Sequence, residues 1–188
     1  GYFGASDLLR VSGAFVQQFS AQGPVQGHVA FKEYERYNVN DSDINNQWVT
    51  LFGTALSDIS VLIKQATEEG SPHYAGVAKL LEAYIYQVTV DAWGDVPYFN
   101  ASMFGENLKP EVDDDELIYK DLIRLIDEGI ADINAGTSVL SPNSFSAIYA
   151  SSNWATSKEK WEKFGNTLKL RIYLHYSAKD PNFSKTKM

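Results

Sequence analysis

The sequence predicts an all-α protein made of irregular helical hairpins joined by long loops. Apolar residues recur at three- and four-residue spacing through five segments, the signature of helices with one buried face. The breaks between them fall on clusters of Gly, Pro, Ser and Asn, and no two stretches alternate as paired strands would. With 188 residues, 44% of them hydrophobic, the chain is long enough for one well-buried core, so residues 1–188 are expected to form a single α-helical domain.

The first helix is expected over residues 6–21, with Leu8, Leu9, Phe15, Val16 and Phe19 as its apolar set and Gly23-Pro24 as its stop. A loop carrying Phe31, Tyr34 and Tyr37 follows. The second helix is expected over residues 43–69, capped by Asp41 or Ser42 and ended by Gly70. Its apolar set is Trp48, Leu51, Phe52, Leu56, Ile59, Leu62 and Ile63. The third begins at Ser71-Pro72, a serine cap before a proline at the first helical position, and runs through Val77, Leu80, Leu81, Tyr84, Ile85 and Val88. So short a link forces the second and third helices into an antiparallel hairpin.

That third segment ends hard at Trp93-Gly94-Asp95-Val96-Pro97-Tyr98. Gly94 can close a helix in the left-handed region and Pro97 forbids its resumption, leaving Trp93 and Tyr98 flanking a tight, rigid corner, as a lid on the core or a platform for a ligand. The fourth helix spans residues 114–134, with Leu117, Ile118, Leu122, Leu125, Ile126, Ile130 and Ile133 at helical spacing. The fifth opens on Thr156-Ser157-Lys158-Glu159, a capping-box pattern, and carries Trp161, Phe164, Leu168, Ile172 and His175.

Composition excludes several functions. The chain has 24 acidic against 16 basic side chains and a net charge of -8, which repels phosphate backbones, so nucleic acid is not an expected partner. No apolar run reaches the roughly 18 to 20 residues of a spanning helix. Cysteine is absent, which removes disulfides and thiolate metal sites. His28, His73 and His175 lack the paired spacing of a zinc helix, and Asp113-Asp114-Asp115-Glu116 reads as helix capping rather than a calcium loop. No metal or cofactor is expected. Nor does any nucleophile elbow, phosphate loop or dinucleotide fingerprint occur.

Two helices open alike. Trp48-Val49-Thr50-Leu51 and Trp161-Glu162-Lys163-Phe164-Gly165 are similar to the Trp-x-x-Leu-Gly start of a tetratricopeptide helix, although their separation far exceeds that repeat's roughly 34 residues. The array is therefore irregular. Taken in order, Trp48-x-x-Leu51, Tyr84 to Trp93 with the Gly94-Asp95-Val96-Pro97-Tyr98 corner, Tyr119-x-x-Leu122-x-x-x-Ile126-Asp127-Glu128-x-Ile130, and Trp161 to Arg171 resemble the SusD/RagB-like outer-membrane nutrient-binding proteins. The resemblance implies tetratricopeptide-like helix pairs and a surface protein held on the outer membrane through an N-terminal lipidated cysteine that this chain lacks. It implies a glycan ligand, or a peptide in some members, and a SusC-like TonB-dependent transporter as partner. It also implies that this chain is the N-terminal portion of a longer protein.

A sugar offers an apolar C–H face and a rim of hydroxyls, so a binder uses rings for the one and amides or carboxylates for the other. The candidate ligand-binding residues are Asn153 and Trp154, in the Ser/Asn-rich stretch from 138 to 157, and Tyr34 and Tyr37 in the first long loop. Each could instead pack onto the scaffold. Asn166 and Arg171 are expected to answer buried backbone groups and a neighbouring carboxylate. Rival readings are a glycoside hydrolase, for which no carboxylate pair such as Asp91 and Asp95 stands out, and a scaffold that binds only protein.

Overall fold

The structure is a computed structural model that describes residues 8–18, 20, 33–101, 107, 109–182 and 185, the side chains of 8–10, 41 and 42 excepted. Phe19, Phe31, His28, the Gly23-Pro24 stop and the side chains of Leu8, Leu9, Asp41 and Ser42 lie outside the described residues. The chain is 66% helix, with no strand among the described residues. Its one isolated bridge there joins Val96 and Asp113. No helix is long and apolar enough to cross a membrane, among the described residues.

The contacts divide the chain into two compact units, residues 1–55 and 56–188. The first contains α1 (Leu8–Phe15), a 3-10 turn (Asp41–Ile44), α2 (Asn45–Trp48) and most of a π-helical stretch (Val49–Leu56). Its buried residues include Ala14, Tyr34, Gln47 and Leu51. The sequence led us to expect one helix over 43–69. It is helical throughout, but opens as a 3-10 turn and widens into the π stretch around Gly53, where the weak helix preference of glycine and the preceding Thr50 make the extra residue per turn cheapest.

The second unit holds α3 (Ser57–Glu68), α4 (Pro72–Trp93), α5 (Asp115–Ile133) and α6 (Trp154–Tyr176). The α3–α4 hairpin turns on Gly70, at φ +70°. Ser71 N–H donates to Ala66 O at 2.7 Å and Gly70 N–H to Thr67 O at 3.2 Å, the paired bonds of a Schellman closure. Ser71 was expected to cap α4 with its side chain. Instead its buried hydroxyl accepts from Leu140 N–H at 3.1 Å, because the later loop folds back over this turn.

α4 is the central helix, packed against α3, α5 and α6. Gly76 keeps it thin where it meets α5, and Ala75, Ala78 and Ala83 are buried with it. A Cβ on Gly76 would stand 2.5 Å from Gly129 O and 2.8 Å from Ile133 N, so the two backbones touch. Gly165 lets α6 close in the same way, its would-be Cβ 3.1 Å from Ile130 and 3.2 Å from Leu80. Leu80, Ile118, Leu122, Ile126, Ile133, Trp161 and Ile172 fill the core around these crossings.

The corner after α4 forms as its sequence requires. Gly94, at φ +74° and ψ -121°, donates to Val90 O at 2.8 Å and ends the helix. Asp113 then holds the turn: its N–H donates to Val96 O at 3.0 Å, and its carboxylate accepts from Tyr98 N–H at 2.8 Å and Phe99 N–H at 2.9 Å. Asp114 caps α5, accepting from Glu116 N–H at 2.9 Å and Leu117 N–H at 3.2 Å, and Asp95 accepts from Asp115 N–H at 3.0 Å. Within the acidic run, Asp114 is thus the cap and Asp113 the brace of the corner. α6 begins two residues before the expected Thr156 box, because Asn153 is extended and its Oδ1 reaches Ala155 N–H at 3.0 Å.

Gly76→Ala should lower the unfolding free energy of the chain by about 2–3 kcal/mol in urea titration, backbone overlap outweighing the ~1 kcal/mol that alanine gains over glycine in a helix. Gly165→Ala, whose Cβ meets only side-chain ends, should cost under about 1 kcal/mol. Equal losses at the two sites would contradict the backbone contact.

Candidate binding surfaces

Two features of the second unit offer themselves to a ligand, at opposite ends of α6. One is an open cleft of about 520 Å³ lined by Val90 and Asp91 of α4, Asp115, Glu116 and Tyr119 of α5, and His175, Tyr176 and Lys179. Its rings, Tyr119 and Tyr176, lie 6.0 Å apart at 27°. Its charged groups are already partnered. Asp91 accepts from the Tyr119 hydroxyl and the Gln87 amide and faces His175 Nδ1 at 3.1 Å. Lys179 lies 3.3 Å from Asp115 and 3.5 Å from Glu116, while Lys120 meets Glu116 at 2.6 Å.

These bonds move the acid–base properties of the cleft. Hydrogen bonds from Lys120 and then Tyr176 hold the Glu116 carboxyl at about 2, and burial followed by the Glu116 bond pushes the Tyr176 phenol up to about 12. Burial, then the bond to Asp91, raises the Tyr119 phenol as well. Asp91 anchors Tyr119, and Asp95 caps α5.

The second feature is the loop between α5 and α6 together with the first residue of α6, where two of the expected ligand residues lie. The turn before α4 ties it down. Val139 N–H donates to Gly70 O at 3.0 Å, and the His73 ring bonds Ser141 Oγ at 2.6 Å and Ala135 O at 2.9 Å. With Nε2 donating to the carbonyl, Nδ1 accepts from the serine. Trp154 stacks on the same imidazole, centroids 4.6 Å apart at 20°, and is half-buried. Asn153 is exposed and spends its carbonyl oxygen on the α6 cap.

The structure places these two side by side, about 30 Å along α6 from the cleft at 1.5 Å per residue. The other two expected residues sit in the first unit. Tyr34 is 3% exposed and its hydroxyl donates to Asp43 at 3.3 Å, so its ring belongs to the frame. Tyr37 is 65% exposed, holds φ at +60° and lies 5.7 Å from Phe15. Arg171, expected to answer a carboxylate, instead places its guanidinium 5.9 Å from the Tyr84 ring centroid, because the adjoining face of α4 offers an aromatic ring there.

Sequence reasoning missed Phe145 and Tyr149, which project from the loop. Phe145 is 93% exposed, and Tyr149 is held at φ +54° with its ring edge-on to Trp161 at 5.0 Å. A legible signal was there: residues 133–157 contain no charged side chain and no histidine.

A helical frame that bonds the carboxylates of its cleft and corner internally, with its most exposed rings, Tyr37 and Phe145, outside the helices, has the build of a ligand-binding protein. The chain belongs to the SusD-like family, described as starch-binding and associating with the outer membrane, whose model matches residues 9–188. Solved structures share its fold. A chitin-binding protein is 24% identical with a TM-score of 0.78, covering 98% of this chain and 37% of its own. A SusD/RagB family protein from Bacteroides thetaiotaomicron is 21% identical with a TM-score of 0.76, covering 94% and 35%. A SusD-like protein of the Bacteroidetes is 19% identical with a TM-score of 0.72, covering 96% and 31%. The chain therefore spans roughly a third of the length of these structures. None of the curated proteins matches it in sequence.

One group in the frame gives a pH test. Burial, against the opposing pull of Lys79 and Arg124, lifts the Glu82 carboxyl from 4.5 to about 7. Because the folded state holds this proton more tightly than the unfolded one, the contribution of Glu82 to stability is fully present below pH 4.5 and is lost as pH rises through about 7. Glu82→Gln should remove that fall, leaving the variant more stable than the parent at pH 8 by on the order of 2–3 kcal/mol and little changed at pH 4. Parallel pH–stability curves for the two proteins would contradict it.

Proposed function

We propose that the chain is part of a non-catalytic cell-surface protein that captures a glycan outside the outer membrane and passes it to a SusC-like TonB-dependent transporter. The observation that carries this reading is the division of labour between side chains. Named carboxylates of the cleft and corner are bonded within the frame, whereas the most exposed rings, Tyr37, Phe99 and Phe145, stand outside the helices. Sugar capture needs rings and hydroxyl partners but no acid–base pair.

Membership of a family described as starch-binding and outer-membrane-associated supports the glycan and the location, and a structural neighbour named as chitin-binding supports the ligand class. Within the chain, Trp154 and Asn153 are proposed as ligand contacts in the second unit and Tyr37 in the first. Tyr34 holds the turn that presents Tyr37, its carbonyl accepting from Tyr37 N–H at 3.0 Å. A lipid anchor in the full-length protein would hold these surfaces outside the cell.

Native affinity electrophoresis of the chain through a panel of soluble polysaccharides tests the reading. We expect retardation by at least one glycan, recovery of that glycan at unchanged length, and about tenfold weaker retardation for Trp154→Ala, worth about 1.4 kcal/mol. Shortening of the glycan by purified protein would replace capture with hydrolysis. Retention of a peptide library and of no glycan would move the ligand to the peptide class.

A further inference from the structure

We propose that the ligand is a neutral polysaccharide and that it is read by the loop joining α5 to α6, with Phe145 as its stacking platform. This rests on the glycan-capture reading above and adds the class of glycan and the surface that selects it. Residues 133–157 carry no Asp, Glu, Lys, Arg or His, in a chain that is 21% charged with a net charge of -8. A surface loop gains solubility from charges, so their absence over so long a stretch calls for a reason.

What the loop shows to solvent supplies one. Val139, Leu140, Phe145 and Ile148 are all exposed, Phe145 almost completely, and Asn143, Ser144, Ser152 and Asn153 stand exposed among them. Apolar faces interleaved with uncharged hydroxyl and amide groups match the two faces of a sugar ring. A uronate or sulfated chain would be repelled by the net charge of these 188 residues and find no basic side chain in this loop. An amine-bearing chain would find no carboxylate there. The complement of an uncharged surface of this kind is an uncharged glycan.

The loop is also built to hold its shape. His73, Ser71 and Gly70 tie its first half to the start of α4. Asn143 Oδ1 accepts from Phe145 N–H at 2.9 Å, Ser146 Oγ donates to Ile148 O at 2.7 Å, and Ser157 Oγ donates to Tyr149 O at 2.8 Å. Tyr149 sits at φ +54°, a conformation that a non-glycine residue adopts only when its surroundings impose it and that recurs at ligand clamps. Its ring is braced by Trp161, which is 1% exposed. A pre-shaped loop loses little freedom on binding, so exposed rings on it return more affinity than the same rings on a slack one.

The test measures retardation of the chain by neutral glucan, xylan, mannan and soluble chitin oligomers against polygalacturonate, chondroitin sulfate and chitosan, at low and high salt. Phe145→Ala and Phe145→Trp are run beside the parent, and thermal melts show that these exposed changes leave the fold intact. We expect retention by a neutral glycan that changes less than about twofold with salt, since no ion pair is screened. It should weaken about tenfold in Phe145→Ala and persist in Phe145→Trp. Preferential, salt-sensitive retention of a charged glycan would overturn the class, and unchanged retention in Phe145→Ala would overturn the surface, each leaving glycan capture standing. Retention of none of the glycans would overturn both readings together.

Discussion

The contact of α4 with α5 at Gly76 and Gly129 sets the position of nearly everything else in the second unit. With would-be Cβ distances of 2.5 and 3.0 Å to the facing carbonyls, the two backbones meet with no side chain between them. Such an approach leaves little room for change, because a carbon added at either glycine strikes the facing main chain as well as the side chains of Ile133 or Leu80. It also brings the end of α5, at Ile133, beside the first turn of α4. That is why Ala135, two residues on, can accept from His73, and why the following loop runs back across Gly70 and Ser71. The glycine crossing and the pose of the loop are therefore one arrangement.

At the other end of the same helices, electrostatics takes over from packing. α4 stops at Gly94, α5 starts at Asp115, and carboxylates bridge the gap: Asp113 holds the corner, Asp95 and Asp114 cap α5, and Asp91 gathers Tyr119, Gln87 and His175. Tyr98 donates to Asp121 at 2.7 Å, and that bond with those from Arg124 brings Asp121 below its usual value although burial alone would raise it. Acids spent in this way stabilise a frame. Residues 133–157, at the far end, carry no charged side chain.

The sequence was most legible where one residue type has one physical meaning. Gly94 followed by Pro97 announced the corner, Gly70 the hairpin, and the acidic run before Leu117 the start of α5. It was less legible where two residues could do the same work. Ser71 and Thr156 both look like caps, but Asn153 took the second role and the first hydroxyl was claimed by Leu140, a partner 69 positions away. The π stretch at Val49–Leu56 was hidden because apolar spacing hardly separates it from an α-helix. Trp154 was placed in the right loop, but its stack on His73 was a long-range contact that no local pattern encodes. Phe145 escaped notice because a lone Phe among serines reads as core by residue type, and only the absence of charge around it marks a surface.

The central claim is that the tethered, charge-free loop is where the glycan lands. Hydrogen exchange of the chain with and without a retained neutral polysaccharide addresses it residue by residue. Slowed exchange over residues 143–153, with the amides around Tyr119 and His175 unchanged, is the result this account predicts. Slowed exchange confined to the cleft at the far end of α6, with the loop unaffected, would contradict it.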